Sequence, residues 1–232
     1  MVNPRSKISV VMPAYNEEQI ISKVIKRFKK IPEVNEVIVV DNNSIDRTVK
    51  LAKKAGARVV KESKQGYGFA CRRALKEAKD DIIVLTESDG SFEPSDIYKF
   101  IAYLNDVDFV LGTRTTLELV EPGAKMDWFL LYGNVFLAKL IQLRFLRRVR
   151  LTDVGCTYRA IKRRVLMKIM NNLKVGGPHF SPEMIIEALK AGLKIVEIPI
   201  NYKIRVGESK ITSNKFKSFK VGLRMLKLIF FR

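Results

Sequence analysis

At 232 residues, 47% of them hydrophobic, the chain has the length of one α/β domain with at most an appendage, and apolar content ample for a sizeable core. Two distant cysteines, Cys71 and Cys156, and a single histidine, His179, exclude a disulfide framework, a cysteine zinc site and a histidine-rich metal site, and fit a reducing compartment. The formal net charge of +19 favours anionic partners without choosing among nucleic acid, nucleoside diphosphates and an anionic membrane surface, and a lysine-rich solvated surface is the plain alternative.

Strand and helix patterns alternate through the first half. No leader peptide is read at the start, because a short apolar strand begins at Ile8 and runs to Met12, ended by Pro13. Residues 17–28 carry Ile20, Ile21, Val24, Ile25 and Phe28 at helical spacing. A second strand over 36–40, a helix over 44–55 with Ser44 or Asp46 as N-cap, a third strand over 57–60 and a helix over 68–78 follow. Next come a strand over 82–85, a helix over 94–104 and a strand over 109–111. Repeated β-α units of this length predict a mostly parallel, doubly wound sheet. The second half predicts a long apolar helix over 126–146, interrupted near Gly133 and too polar for a membrane span, then a helix over 182–190 and a strand over 195–198.

Polar clusters follow three of these strands: Pro13-Ala14-Tyr15-Asn16-Glu17, Asp41-Asn42-Asn43-Ser44 and Glu87-Ser88-Asp89. In a parallel sheet all three emerge at one edge, where open α/β sheets bind ligands. Glu87 and Asp89, two residues apart, have the oxygen chemistry to hold a hard divalent cation, and through it a diphosphate. Ser-Asp-Gly is also good turn chemistry, so this stretch taken alone reads equally as a solvated turn. Asp41 has the chemistry to accept from a base or ribose group. The convergence of the three clusters is what a nucleotide site needs.

Several segments together resemble family 2 glycosyltransferases of the GT-A fold. These are Val10-Val11-Met12-Pro13-Ala14-Tyr15-Asn16-Glu17, then Val39-Val40-Asp41-Asn42-Asn43-Ser44-Ile45-Asp46-Arg47-Thr48, and Gln65-Gly66-Tyr67-Gly68 with Ala70. Val110-Leu111-Gly112-Thr113-Arg114 and Gly207-Glu208-Ser209-Lys210 complete the set, so the resemblance spans about residues 7–212. Within the family the chain looks most like the polyprenyl-phosphate (dolichyl-phosphate) mannose and glucose synthases. Two departures stand out: Glu87-Ser88-Asp89 where the family writes D-x-D, and Asn42 where many relatives carry a second aspartate.

The resemblance implies a Rossmann-like, mostly parallel sheet flanked by helices over 1–212, with an amphipathic basic helix over 213–232. It implies a metal-dependent hexosyltransferase that moves a sugar, with inversion, from a GDP-mannose or UDP-glucose type donor to a polyprenyl phosphate. Pro13, Tyr15, Glu17, Asp41, Glu87 and Ser88 would line the nucleotide site, and Glu87 and Asp89 would hold Mg²⁺ or Mn²⁺. Arg114 would face the acceptor phosphate, with Asp89 and Arg114 carrying catalysis, and Arg205, Ser209 and Lys210 would close over the phosphates. An acceptor phosphate monoester is largely dianionic near pH 7, because its second pKa is about 6, so one histidine is no handicap.

Near the end of the chain Phe216, Phe219, Leu223, Leu226 and Phe230 recur at spacings of three and four, beside Lys217, Lys220, Arg224 and Lys227. Such a helix suits the surface of an anionic membrane, with docking on its own domain as the alternative. With the basic stretch 144–150 it predicts a peripheral enzyme at the cytoplasmic membrane face. A family 2 enzyme acting on a polysaccharide, protein or other lipid is the neighbouring alternative. A nucleic-acid-binding module, supported by charge alone and lacking any recognisable motif for it, is the distant one, so no nucleic acid is expected as partner.

Overall fold

Buried runs, apolar except for Ser9, make the centre of this molecule. β1 (Ile8–Ala14) and β4 (Ile82–Leu85) are buried at every position, as a parallel strand covered on both faces must be. The computed structural model describes residues 6–124, 128–146, 148–207 and 215–232, with side chains of the last segment described from Phe219. With β2 (Val34–Asp41), β3 (Arg58–Lys61), β5 (Phe109–Thr113), β6 (Arg159–Lys162) and β7 (Ile195–Pro199) these strands form one sheet, ordered β3-β2-β1-β4-β6-β5-β7. Alternate residues serve two cores. Val11, Ile38 and Ile83 face one, and Val10, Val39 and Val84 the other.

The sheet is mostly parallel, as the repeated β-α pattern predicts. β6 is the exception. It runs antiparallel between β4 and β5, with Arg159 opposite both Leu85 and Leu111. This strand was not anticipated, nor was the helix after it. Its four residues, Arg-Ala-Ile-Lys, run on without a break into the helix α6 (Arg163–Ile169), and no turn residue separates them.

α1 (Ile21–Lys29), α2 (Thr48–Lys54) and α4 (Ile97–Leu104) cover one face. α3 (Tyr67–Glu77), α5 (Trp128–Arg144), α6 and α7 (Phe180–Lys190) cover the other. α1 and α2 begin four residues later than their apolar spacing implies, because residues 16–18 and 44–47 are held in cross-bonded turns instead. α5 is not interrupted at Gly133, where a Cβ would meet nothing within 4 Å.

The last helix, α8 (Lys215–Phe231), is apolar on two sides. Met225 and Ile229 are buried in the core beneath α5 and α7. Arg232 pairs with Glu183 and, at 2.9 Å, with Glu187, both buried on α7, and the Arg144 guanidinium donates to the Ile229 carbonyl. Phe219, Leu223 and Phe230 are exposed beside exposed Lys220, Arg224 and Lys227, whereas Leu226 is partly packed against the core. Phe216 and Lys217 lie outside the described side chains. α5 repeats this two-sidedness: Leu137, Ala138 and Ile141 are buried, and Trp128, Tyr132, Phe136 and Leu143 are exposed. Among the described residues no helix is long and apolar enough to cross a membrane.

Candidate active site

The register of the sheet brings the three polar clusters to one edge. Ala14 lies opposite Asp41, and Val11 opposite Leu85, so the segments after β1, β2 and β4 leave side by side. Because β6 is antiparallel, the turn that precedes it, over residues 153–158, arrives at that same edge. The start of α3, the carboxyl end of β5 and the segment after β7 close the ring.

The loop after β1 is held by the segment after β2. Asn16 N–H donates to Ser44 Oγ, Glu17 N–H to Thr48 Oγ1 and Glu18 N–H to Asp46 Oδ2. Neither Ser44 nor Asp46 is the N-cap of α2: that position is Arg47, which makes no side-chain capping bond, while Asp46 Oδ1 accepts from Thr48 N–H within the turn and Ser44 serves the neighbouring loop. Asn16 and Asn43 adopt positive φ (56° and 66°), which asparagine tolerates better than most residues. Asp41 is buried, accepts from Ser44 N–H at 3.1 Å and is absent from the lining of the cavity described below. Asn42 beside it does line the cavity.

Glu87 and Asp89 are each fixed through one oxygen. Asp89 Oδ1 accepts from Ser91 N–H (2.9 Å) and Oγ (2.6 Å), across a Gly90 whose φ of +80° suits glycine. Glu87 Oε1 accepts from Tyr67 Oη (3.0 Å) and Thr157 Oγ1 (2.8 Å). Burial and the neighbouring Asp89 charge push the Glu87 carboxyl up to about 7. Ser88 Oγ donates to the Pro13 carbonyl and ties this strand end to the first loop. Among the described residues no cluster of three or more ligating side chains exists. Two adjacent carboxylates with a diphosphate to complete the shell are the donor set that Mg²⁺-type ions take in phosphate chemistry, so the residues fit such an ion.

Cations stand around this pair. Arg205 Nη2 lies 3.3 Å from Asp89 Oδ2. Arg114 Nε and Nη2 are both engaged by Asp153 (2.7 and 2.9 Å), so Nη1 is the part of its fork outside that pair. Burial works against the Arg114 charge, but Asp153 more than offsets it and raises the pKa. The guanidinium also sits 5.3 Å from the Tyr202 ring centre. Asp153 is in turn placed by Glu197, whose Oε1 accepts from Asp153 N–H and whose Oε2 accepts from Thr152.

These groups share one cavity of about 730 Å³. Pro13, Tyr15, Glu17, Glu87, Ser88, Asp89, Arg114 and Arg205 all line it. Ser209 and Lys210 lie outside the described residues. An apolar wall is also present: Phe129, Phe136 and Leu137 of α5 and Phe219, Leu223 and Leu226 of α8 line the cavity. His179 is off this wall, although Gly177 and Pro178 before it line it.

Residues 9–170 match the sequence profile described as Glycosyl transferase family 2. The chain belongs to that family. A dolichyl-phosphate hexose transferase from Haloferax volcanii is 34% identical over 205 residues, covering 88% of this chain and 86% of that protein. An uncharacterized glycosyltransferase from Mycobacterium tuberculosis is 30% identical over 210 residues, covering 89% and 90%. Among solved structures, M. tuberculosis glucosyl-3-phosphoglycerate synthase, crystallised with Mn²⁺, UDP and glucosyl-3-phosphoglycerate, superposes with a TM-score of 0.73 at 22% identity, over 97% of this chain and 80% of that one. That likeness carries the GT-A fold.

In this family 2 glycosyltransferase the groups not foreseen from sequence are Tyr67, Asp153, Thr157 and Tyr202, together with the apolar wall of α5. None belongs to the quoted motifs in its observed role. Tyr67 was quoted within a glycine turn, and that turn is explained here: Gly68 approaches residues 175–177 so closely that a Cβ would stand 2.3 Å from the Val175 carbonyl. Asn42, the second departure, is fully committed. Its Nδ2 donates to the Glu62 and Lys64 carbonyls and its Oδ1 accepts from Gly66 N–H. An aspartate has no proton for those two carbonyls.

Proposed function

We propose that this enzyme transfers a hexose from a nucleoside-diphosphate sugar of the GDP-mannose or UDP-glucose type to a polyprenyl (dolichyl) phosphate. The observation that carries the reading is the mixed lining of one cavity: an acidic pair with two arginines, together with apolar side chains of α5 and α8. A lipid phosphate needs both. The named activity of the H. volcanii relative supports the lipid acceptor. The Mn²⁺ and UDP in the glucosyl-3-phosphoglycerate synthase crystals support a divalent ion with a nucleoside diphosphate.

Glu87 and Asp89 would hold Mg²⁺ or Mn²⁺, which when bound supplies charge stabilisation at the leaving diphosphate. Tyr15, Glu17 and Pro13 form the nucleotide side of the cavity. Arg205, with Ser209 and Lys210, neutralises phosphate charge from the segment after β7. Arg114 offers its free edge to the acceptor phosphate. That dianion attacks the anomeric carbon directly, the nucleoside diphosphate leaves, and configuration at that carbon inverts. The exposed apolar stripe of α8 and its cations attach residues 213–232 to the cytoplasmic face of an anionic membrane, next to the catalytic unit over 1–212.

The experiment is transfer of labelled hexose into solvent-extractable lipid, with GDP- and UDP-sugars, Mg²⁺ or Mn²⁺ and a polyprenyl phosphate. Metal-dependent label in the lipid phase, abolished by Asp89→Asn, is expected. Asparagine keeps an acceptor for Ser91 and so preserves the turn. Label that appears only in water-soluble phosphorylated acceptors overturns the lipid assignment. Full metal-dependent turnover by Asp89→Asn overturns the metal site.

A further inference from the structure

We propose that Tyr67 and Thr157 are the positioning residues that enable a glutamate to serve at position 87. The proposal rests on the reading of Glu87 as a metal ligand. A glutamate carries one more methylene than an aspartate, hence one more torsion to be fixed before its carboxylate can bind an ion. Here the two hydroxyls fix it, converging on the same atom, Oε1, at 3.0 and 2.8 Å from opposite sides of the site, one on α3 and one on the turn before β6. Oε2 takes neither bond and is the oxygen left for the ion. Asp89 takes both Ser91 donors on Oδ1, and its Oδ2 faces Arg205 Nη2 at 3.3 Å.

The two departures from the family pattern are thereby one device. Asn42 holds the chain at Glu62, Lys64 and Gly66, and Tyr67 leaves directly from that pinned turn. Gly66 has φ 149°, and a Cβ there would stand 2.4 Å from the Gly176 carbonyl, so the turn is also seated against the chain ahead of α7. The side chain of Asn42 thus sets the ring whose hydroxyl sets Glu87. Thr157 is anchored independently, between Cys156, whose N–H donates to Asp153, and the buried Arg159.

Partners that orient ligating groups typically cost 10–100-fold in metal affinity when removed. Mn²⁺ titrations by calorimetry, with UDP or GDP present, are therefore made on the native chain, Tyr67→Phe, Thr157→Val, Thr157→Ser and Glu87→Asp. Tyr67→Phe and Thr157→Val are each expected to weaken Mn²⁺ on the order of 10-fold, with Thr157→Ser close to native. Glu87→Asp withdraws the carboxylate from both hydroxyls, so its loss should be smaller in the Tyr67→Phe background than in the native one. Rates at saturating Mn²⁺ should fall much less than the affinity. Unchanged Mn²⁺ affinity in both hydroxyl variants, with Asp89→Asn losing it, overturns the positioning role and leaves the proposed function standing. A lower melting temperature of the metal-free protein with native Mn²⁺ affinity overturns it too, since that is a purely structural role. Native Mn²⁺ affinity in Asp89→Asn as well overturns the metal site on which both readings stand.

Discussion

Arg205 and Asp89 face each other across the mouth of the acidic pair, Nη2 to Oδ2 at 3.3 Å, and the next residue, Val206, donates its N–H to the Asp89 carbonyl. The segment after β7 is thus drawn down onto the strand-end carboxylates by side chain and backbone together. Under the proposed function the same guanidinium meets donor phosphate. Arg205→Gln is expected to slow transfer by about 10-fold or more, the equivalent of losing one charge-assisted bond of roughly 1.5–3 kcal/mol. Steady-state rates at saturating donor check this, and an unchanged rate removes Arg205 from the phosphate chemistry.

Arg114→Ala is expected to damage the fold as well as the reaction. Asp153 has no exposed side-chain surface and depends on Arg114 for its countercharge. Stripping one partner from such a buried pair costs about 3–5 kcal/mol, which urea unfolding would register. Arg114→Lys keeps the charge and loses the two-pronged grip on Asp153. It should fold, and it should raise the KM for lipid phosphate more than the KM for nucleotide sugar. Equal effects on both substrates would place Arg114 outside acceptor recognition.

The exposed side of α8 is separable from its docked side. Phe230→Glu with Phe231→Glu should lower co-sedimentation with anionic vesicles while leaving the melting temperature near native, because both rings are exposed and neither lines the cavity. Binding should also weaken at high salt, since each Lys or Arg near such a surface contributes on the order of 1 kcal/mol. Deleting 214–232 is a different experiment. It removes Met225 and Ile229 from the core and leaves Glu183 and Glu187 without Arg232, so marked destabilisation is expected. Native vesicle binding by the double glutamate variant would assign α8 to docking alone.

Glu197 predicts a pH dependence of stability. Burial pushes its carboxyl up to about 7, against the hydrogen bonds from Thr152 and Asp153. The folded chain therefore keeps a proton that an unfolded carboxyl with its ordinary value of 4.5 releases. The contribution is full below that value and is lost as pH rises through about 7, by up to about 1.4 kcal/mol per pH unit between. Urea unfolding across this range should show the stability gap between the native chain and Glu197→Gln narrowing as pH rises. A gap independent of pH would contradict it.

The sheet edge was legible in the sequence because its strands are short apolar runs that stop at polar clusters, and parallel pairing leaves those clusters one place to meet. Pro13 and Glu87 were accessible to that logic, whereas Arg114 was reached through the family resemblance. β6 was not legible, since Arg159 at its start, Lys162 at its end and the Arg163-Arg164 that follow disguise a buried strand as the beginning of a helix. Tyr67 and Thr157 reach Glu87 from 20 and 70 residues away, so no spacing rule connects them. Periodicity found the outward stripe of α8 but not Met225 and Ile229 behind it, because a helix apolar on two sides has no single face for a periodicity to reveal. Asp41 shows the limit from the other direction: one of its oxygens accepts from Ser44 N–H in the turn that follows it, a local bond that the motif alone does not reveal.

The turn before β6 ties together the two groups to which the proposed function gives different substrates. Asp153 grips Arg114 and Thr157 grips Glu87, and Asp153 Oδ1 accepts the N–H groups of Gly155 and Cys156 between them. Arginine and glutamate are thereby mounted on one short bracket. Grafting a foreign acceptor pocket by exchanging the β5 end alone would leave the bracket cut for the old partner. The unit of exchange is therefore the whole segment from Arg114 to Arg159, transplanted as a piece.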